Sequence, residues 1–75
     1  NKNEVDCIME ENELKAIEIK SAKSFSNSFI DGLKSFARFS KMKARNGHVI
    51  YGGEESFTFK DFNIISWRDI ESIYK

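Results

Sequence analysis

The sequence contains no proline, a single cysteine and only four glycines among its 75 residues. One cysteine cannot form a disulfide within the chain, which excludes a small secreted domain held together by disulfides. Apolar runs reach only three residues, far short of the ~20 that cross a bilayer, so we expect a cytoplasmic protein without a membrane segment. The scarcity of turn residues, together with 40% apolar and 13% aromatic residues, predicts an ordered globular chain.

The length of the chain is enough for one small domain, and we expect residues 1–75 to form it. The chain starts at Asn1 rather than at a methionine, and charged residues with the spacing of a site follow almost at once. We therefore expect these residues to be a C-terminal piece of a longer protein.

Opposite charges are segregated along the chain, although the net charge is zero. Between Lys15 and Arg45 there are eight basic residues and two acidic ones, so this segment carries +6 and the remainder carries −6. Such a charge dipole can steer an anionic partner to one side of a molecule. The ordinary alternative is that these lysines and arginines only solvate a helix surface.

Two segments of alternating polarity predict a β-hairpin at the start of the chain. They are residues 4–10 and residues 14–20, with residues 11–13 as the loop. Successive side chains of a strand point to opposite faces, so the apolar residues gather on one face of this hairpin. We expect that face to pack on the following helix, and its members are Val5, Cys7, Ile17 and Ile19.

A helix is predicted over residues 28–45, where Ser28 and Asp31 form a capping-box pattern. Phe39 and Met42 lie outside its apolar stripe, and we expect them to be uncovered. Exposed apolar residues of this kind favour association of two copies of the chain. The core-facing stripe consists of Phe29, Leu33, Phe36, Ala37, Ser40 and Ala44.

Three further strands are predicted over residues 48–51, 56–60 and 62–65. A second capping pattern at Ser66 predicts a short terminal helix that runs through Tyr74. The order of elements predicts an α/β fold with a small mixed sheet: a β-hairpin, a helix, further strands and a short C-terminal helix.

The predicted hairpin brings charged side chains together on one of its faces. If residues 11–13 form the loop, Asp6 lies opposite Glu18 and Glu4 lies opposite Lys20. Two carboxylates with Cβ atoms ~5 Å apart repel each other unless a cation or a shared proton lies between them.

Mg²⁺ is the cation that fits such a pair, because it takes oxygen ligands and often uses only one or two carboxylates beside water. We therefore predict that Asp6 and Glu18 bind Mg²⁺, and that Lys20 either helps to ionise a metal-bound water or neutralises charge developing on a phosphorane. This is the chemistry of phosphodiester hydrolysis, and the spacing Asp-x(11)-Glu-x-Lys is compatible with the PD-(D/E)xK nuclease signature. The ordinary alternative is that these charged side chains are only solvated.

Several segments of the chain carry a resemblance to a known family. They are Glu4-Val5-Asp6, residues 16–21 (Ala-Ile-Glu-Ile-Lys-Ser), residues 32–36 (Gly-Leu-Lys-Ser-Phe) and Ser66-Trp67-Arg68. Together they resemble the C-terminal uncharacterised domain attached to AAA-type ATPases in many bacterial and archaeal proteins, a domain that is similar to restriction-endonuclease-like folds.

The resemblance implies a partial restriction-endonuclease-like core, in which Asp6, Glu18 and Lys20 form the catalytic set and Glu4 is an accessory carboxylate. It also implies an ATPase domain upstream in the same chain. ATP would be a cofactor only of that upstream domain. Only five residues precede Asp6, whereas such cores normally have a helix and a strand there. We therefore expect this piece alone to be inactive.

Two functions remain open at the level of the sequence. One is Mg²⁺-dependent hydrolysis of DNA, with the backbone phosphates held by four basic residues of the predicted helix. The other is a catalytically inactive module of the same ATPase that binds nucleic acid or protein. The basic residues in question are Lys34, Arg38, Lys41 and Arg45.

Overall fold

A computed structural model describes residues 5–10 and 12–74, with side chains described as far as residue 71. It shows one five-stranded mixed sheet with a single α-helix, which confirms the predicted α/β class. In the sheet the strands lie in the order β1-β2-β3-β5-β4. The strands are β1 (Cys7–Glu10), β2 (Leu14–Ile19), β3 (Gly47–Tyr51), β4 (Phe57–Phe59) and β5 (Phe62–Ser66).

The first hairpin has the predicted register, because Cys7 pairs with Ile17 and Glu10 pairs with Leu14. β3 lies parallel to β2 after the helix, so β2, the helix and β3 form a strand-helix-strand crossover. β5 in turn lies parallel to β3, and β4 pairs antiparallel with β5. Two antiparallel hairpins therefore flank a parallel centre.

The helix is shorter than predicted. A 3-10 turn over Asn27–Ile30 leads into α1 (Asp31–Ser40), and α1 ends because Lys41 adopts a left-handed conformation with φ of 63°. The Ser40 hydroxyl donates to the Phe36 carbonyl at 2.7 Å and accepts from the Met42 N–H at 3.3 Å, which closes the helix end. The predicted cap at Ser28 is wrong as well: Ser26 caps the preceding turn instead.

The core lies between α1 and the sheet. Leu33 is fully buried, and the other apolar members of the predicted stripe pack against the same cluster. Phe39 is 81% exposed, as predicted, whereas Met42 is only 7% exposed. The prediction for Met42 was wrong because the chain turns at Lys41 and carries Met42 back onto the core.

The face of β2 that meets the helix is the opposite of the predicted one. Leu14 and Ala16 pack with the α1 core, while Ile17 joins a separate buried cluster with Ile50 and Ile65. Both faces of β2 are apolar in sequence, so alternation alone does not tell which of them meets the helix.

The C-terminal segment Trp67–Tyr74 is a 3-10 helix with a kink at Asp69, rather than an α-helix. Its predicted cap is present, since the Ser66 hydroxyl accepts from the Arg68 N–H at 3.2 Å. The same hydroxyl donates to the Gly53 carbonyl at 2.7 Å and so ties the end of β5 to the loop after β3. No helix within the described ranges is long and apolar enough to cross a membrane.

Candidate functional site

Asp6 lies at a bend just before β1 and contacts the end of β2. Its backbone N–H donates to the Ile17 carbonyl at 3.1 Å. Its carboxylate atom Oδ2 accepts a hydrogen bond from the Ile19 N–H at 2.7 Å. The carboxylate therefore stands beside the backbone that joins Glu18 to Lys20.

Glu18 and Lys20 form an ion pair, with 3.1 Å between Lys20 Nζ and Glu18 Oε2. The Glu18 side chain is only 15% exposed, and the Lys20 side chain is 36% exposed. Glu18 Oε1 is buried and has no hydrogen-bond partner among the described residues. A buried acceptor left in this state costs free energy unless a further donor or a cation satisfies it.

The site lies on the helix side of the sheet. The alternation in the sequence placed Ile17 and Ile19 against the helix. That placement would have turned Glu18 and Lys20 away from it, and the structure corrects this. Lys20 Nζ stands 5.9 Å from the centroid of the Phe29 ring, in the turn that leads into α1. Glu18 and Lys20 follow Leu14 and Ala16 at alternate positions of the same strand, so all four share a face.

The loops around the site are packed tightly at the carboxyl ends of β2 and β3. Lys20 N–H donates to the Ile50 carbonyl, and Gly52 N–H donates to the Ala22 carbonyl, each at 2.8 Å. A Cβ on Gly52 would lie 3.1 Å from the Ala22 carbonyl oxygen and 3.2 Å from that of Ser21. In open α/β sheets, ligands bind at the carboxyl ends of the strands, which is where this group of residues lies.

The donor set suits a cation that takes few protein ligands. No group of three or more His, Cys, Asp or Glu residues is placed to hold a metal ion in the part of the chain that the structure describes. Asp6 and Glu18 provide two carboxylates, and one oxygen of each is already engaged. Mg²⁺, which often retains several waters, fits such a pair better than a metal that needs a full protein cage. Glu4, the expected accessory carboxylate, lies outside the described residues.

The four basic residues expected to bind nucleic acid do not form one helical stripe. Lys34 and Arg38 lie one turn apart on α1, and both are exposed. Lys41 follows the helix in its left-handed position, and Arg45 belongs to the 3-10 turn Ala44–Asn46. Because α1 ends early, the predicted stripe is divided into two parts.

The two parts of the basic surface differ in their surroundings. Lys34 and Arg38 line a shallow cleft of about 270 Å³ with Asp31 and Ser35. The Arg45 guanidinium lies 3.9 Å from Glu13 Oε1, at the same distance as Lys43 Nζ. Each part of the basic surface therefore includes a carboxylate, Asp31 in the α1 cleft and Glu13 beside Arg45 and Lys43. The α1 pair is the candidate for phosphate contacts because its two cations line one open cleft.

His48 occupies the face of the sheet opposite α1, paired with Ile17 on one side and Asn63 on the other. Both ring nitrogens are buried without a hydrogen-bond partner among the described residues. Burial lowers the pKa of His48 below its usual 6.5, and the positive charge of Lys15 lowers it further. The geometry agrees with the structural role that a histidine opening a buried strand indicates.

Phe29 is the site neighbour that sequence reasoning did not identify, because its position in the apolar stripe assigned it only to the core. Its ring is half-buried and faces Lys20 as well as the core. The signal in the sequence was weak: a lysine at the end of a strand and an aromatic residue nine positions later do not by themselves indicate a contact.

The fold and the site define a small mixed α/β domain with two acidic residues and a lysine at the carboxyl end of its second strand. The family described as "Domain of unknown function (DUF4143)" matches residues 1–70, and the chain belongs to this family. Domains of this family are commonly found at the C-terminus of AAA-ATPase-like proteins. No curated protein and no solved structure shows significant similarity to the chain.

Proposed function

We propose that this domain is a nuclease-type module that binds Mg²⁺ and hydrolyses phosphodiester bonds as part of a longer, cytoplasmic ATPase-containing protein. The observation that carries the proposal is Oε1 of Glu18, which is buried and has no hydrogen-bond partner in the part of the chain that the structure describes. Glu18 pairs with Lys20, and it precedes Ile19, whose N–H donates to the Asp6 carboxylate. A divalent cation would satisfy Glu18 Oε1, and the order of two carboxylates and a lysine is that of PD-(D/E)xK nucleases.

When bound, Mg²⁺ supplies Lewis-acid activation of a phosphoryl oxygen and of a water molecule. Asp6 and Glu18 would hold the ion through the oxygens that the Ile19 N–H and the Lys20 ammonium leave free. The Lys20 ammonium, a third exposed, would neutralise negative charge that develops on the phosphoryl oxygens in the transition state. The hydrogen bond from Ile19 holds the Asp6 carboxylate in place during these steps.

DNA is the proposed substrate because a cluster of cations lies on the same side of the sheet. Lys34 lies in the first turn of α1, close to the turn whose Phe29 contacts Lys20, and Arg38 lies one turn further on, in the last turn of the helix. Phosphate contacts of this kind would position a nucleic acid without reading its sequence. ATP would act only through an upstream ATPase domain.

The alternative is a catalytically inactive module of the same ATPase, one that binds nucleic acid or protein. A specific observation favours it: each carboxylate already has a structural partner, since Asp6 accepts from Ile19 and Glu18 pairs with Lys20. Both acids therefore have a role in the fold without a metal.

Metal titration distinguishes the two proposals. Mn²⁺ binding to the domain is followed by paramagnetic relaxation, and DNA nicking is assayed with the full-length parent protein. We expect Asp6→Asn and Glu18→Gln to abolish binding and nicking, while Glu10→Gln, an exposed acid in β1, serves as the matched control. Binding without nicking would favour the inactive module, and binding that survives both substitutions would overturn the proposed site.

A further inference from the structure

We propose that Phe29 is a positioning residue that holds the Lys20 ammonium at the site, and that Phe25 fixes Phe29 for this task. The catalytic part of this inference rests on the proposed nuclease function. The structural part, the fixing of Lys20, stands on the described contacts alone.

Lys20 has contacts on two sides of its ammonium group. Nζ lies 3.1 Å from Glu18 Oε2 and 5.9 Å from the centroid of the Phe29 ring. The face of an aromatic ring attracts a cation within about 6 Å of its centroid. A lysine side chain has many rotamers, so an ion pair alone does not define where its amine lies. The Phe29 ring adds a second contact, which restricts the ammonium to positions within reach of both Glu18 and the ring.

Phe29 is itself held by an aromatic cluster, which we define as Phe25, Phe29, Phe57 and Phe59. The Phe25 and Phe29 ring centroids are 5.6 Å apart with planes at 79°, an edge-to-face contact. Phe25 makes edge-to-face contacts with Phe57 at 5.2 Å and with Phe59 at 5.1 Å. Phe57 and Phe59 belong to β4, the strand at one edge of the sheet. Contacts with this edge strand therefore fix, through Phe25, the Phe29 ring beside Lys20.

The cluster also determines the course of the chain after Lys20. Phe25 packs against Phe57 and Phe59 of β4. Further back in the same loop, the Ala22 carbonyl accepts a hydrogen bond from the Gly52 N–H. Two separate contacts therefore hold the loop that joins β2 to α1. A change at Phe25 should move Phe29 and Lys20 together, even though Phe25 has no contact with the site itself among the described interactions.

The test compares Phe29→Leu with Phe29→Tyr, which keeps the ring, and with Phe36→Leu, which makes the same change at a half-buried ring of the same core. The first readout is the ¹H and ¹³C shift of the Lys20 ε-methylene group, which a nearby ring displaces. We expect Phe29→Leu to remove this displacement, and Phe29→Tyr and Phe36→Leu to retain it. Unchanged shifts in Phe29→Leu would overturn the proposal.

The second readout is catalytic. We expect Phe29→Leu to lower the nicking rate of the full-length protein by about two- to five-fold, the range of an exposed cation–π contact, with Mn²⁺ affinity unchanged. Loss of the ε-methylene displacement in Phe29→Leu with an unchanged nicking rate would overturn the catalytic part. If the wild-type protein does not nick DNA, the proposed function fails while the shift measurement still decides whether Phe29 fixes Lys20. If Phe29→Leu does not fold, Phe25→Leu replaces it, and the same displacement must then be lost.

Discussion

The carboxylate of Asp6 takes the place of a backbone acceptor for Ile19, whose N–H donates to Oδ2 at 2.7 Å. β1 begins only at Cys7, so without this side chain the Ile19 N–H would lose the acceptor that the structure gives it. One residue therefore both ends the pairing of the first hairpin and brings a negative charge to the end of β2.

This contact predicts different effects for two substitutions of Asp6. Asp6→Ala removes the acceptor and should lower the free energy of unfolding by about 1 kcal/mol, the net value of a typical hydrogen bond. Asp6→Asn keeps an acceptor oxygen and should cost less than half of that. Urea unfolding of both variants measures the difference. Equal losses would show that the charge, rather than the hydrogen bond, stabilises the hairpin.

The buried core predicts a larger effect at Leu33, which is fully shielded between α1 and the sheet. Leu33→Ala should lower the free energy of unfolding by about 2 to 5 kcal/mol, because it removes apolar contacts and leaves a cavity. Phe39→Ala on the same helix is the control, since Phe39 is 81% exposed and should change stability by less than about 0.5 kcal/mol. A similar loss at both positions would contradict the described orientation of α1.

The sequence predicted the first hairpin well because its loop is short and its alternation is regular. Once residues 11–13 are taken as the loop, the pairing of Cys7 with Ile17 follows from counting. The crossover was predictable for a related reason, since a helix between two strands favours a parallel pair.

The sequence predicted both strands of the second hairpin, over residues 56–60 and 62–65, but neither its turn nor the end of α1, because both of these depend on non-glycine residues in left-handed conformations. Lys41 ends the helix with φ of 63°, and Lys60 and Asp61 form the turn between β4 and β5 with φ of 51° and 71°. Such turns are usually signalled by Gly or Asn, and these three positions have neither. Tertiary packing imposes these conformations where local preference does not.

The candidate site was only partly predictable. The pairing of Asp6 with the end of β2 followed from the register, but its hydrogen bond to the Ile19 backbone did not, because it requires the bend before β1. The prediction of the face on which Glu18 and Lys20 lie was wrong, because β2 has apolar residues on both of its faces. The division of the basic residues followed from the early end of α1.

Gly53 predicts a steric effect in the loop after β3. A Cβ there would overlap the ring of Tyr51, which is rigid and buried. Gly53→Ala should lower the free energy of unfolding by about 1 to 3 kcal/mol, because the ring must move. Tyr51→Phe is the comparison, since it removes only the hydroxyl that donates to the Glu55 carbonyl at 2.8 Å and should cost about 1 kcal/mol. Thermal unfolding of both variants tests whether Gly53→Ala is at least as destabilising as Tyr51→Phe.

His48 predicts a pH dependence of stability in mildly acidic solution. Burial, assisted by the charge of Lys15, lowers the pKa of His48 in the folded protein below its ordinary 6.5. The unfolded chain therefore takes up the proton first, and the free energy of unfolding should fall as the pH drops below about 6.5. The stabilisation that comes from burying the neutral imidazole is fully present above that pH.

The measurement is urea unfolding at pH 7.5 and pH 5.5. His48 is the only histidine, and the carboxylates ordinarily titrate at lower pH, so the difference between the two values reports mainly on this residue. His48→Gln should make the two values nearly equal. A wild-type protein that is equally stable at both pH values would contradict the burial of the imidazole.

The parallel centre of the sheet has a consequence for the order of folding. Each flanking hairpin joins strands that are neighbours in sequence, whereas the pairing of β2 with β3 requires the chain from Lys20 to Asn46 to close on itself. Closing a long loop costs entropy before any contact is gained. We expect pulse-labelled amides of the β4–β5 hairpin to become protected during refolding before those of β2 that face β3.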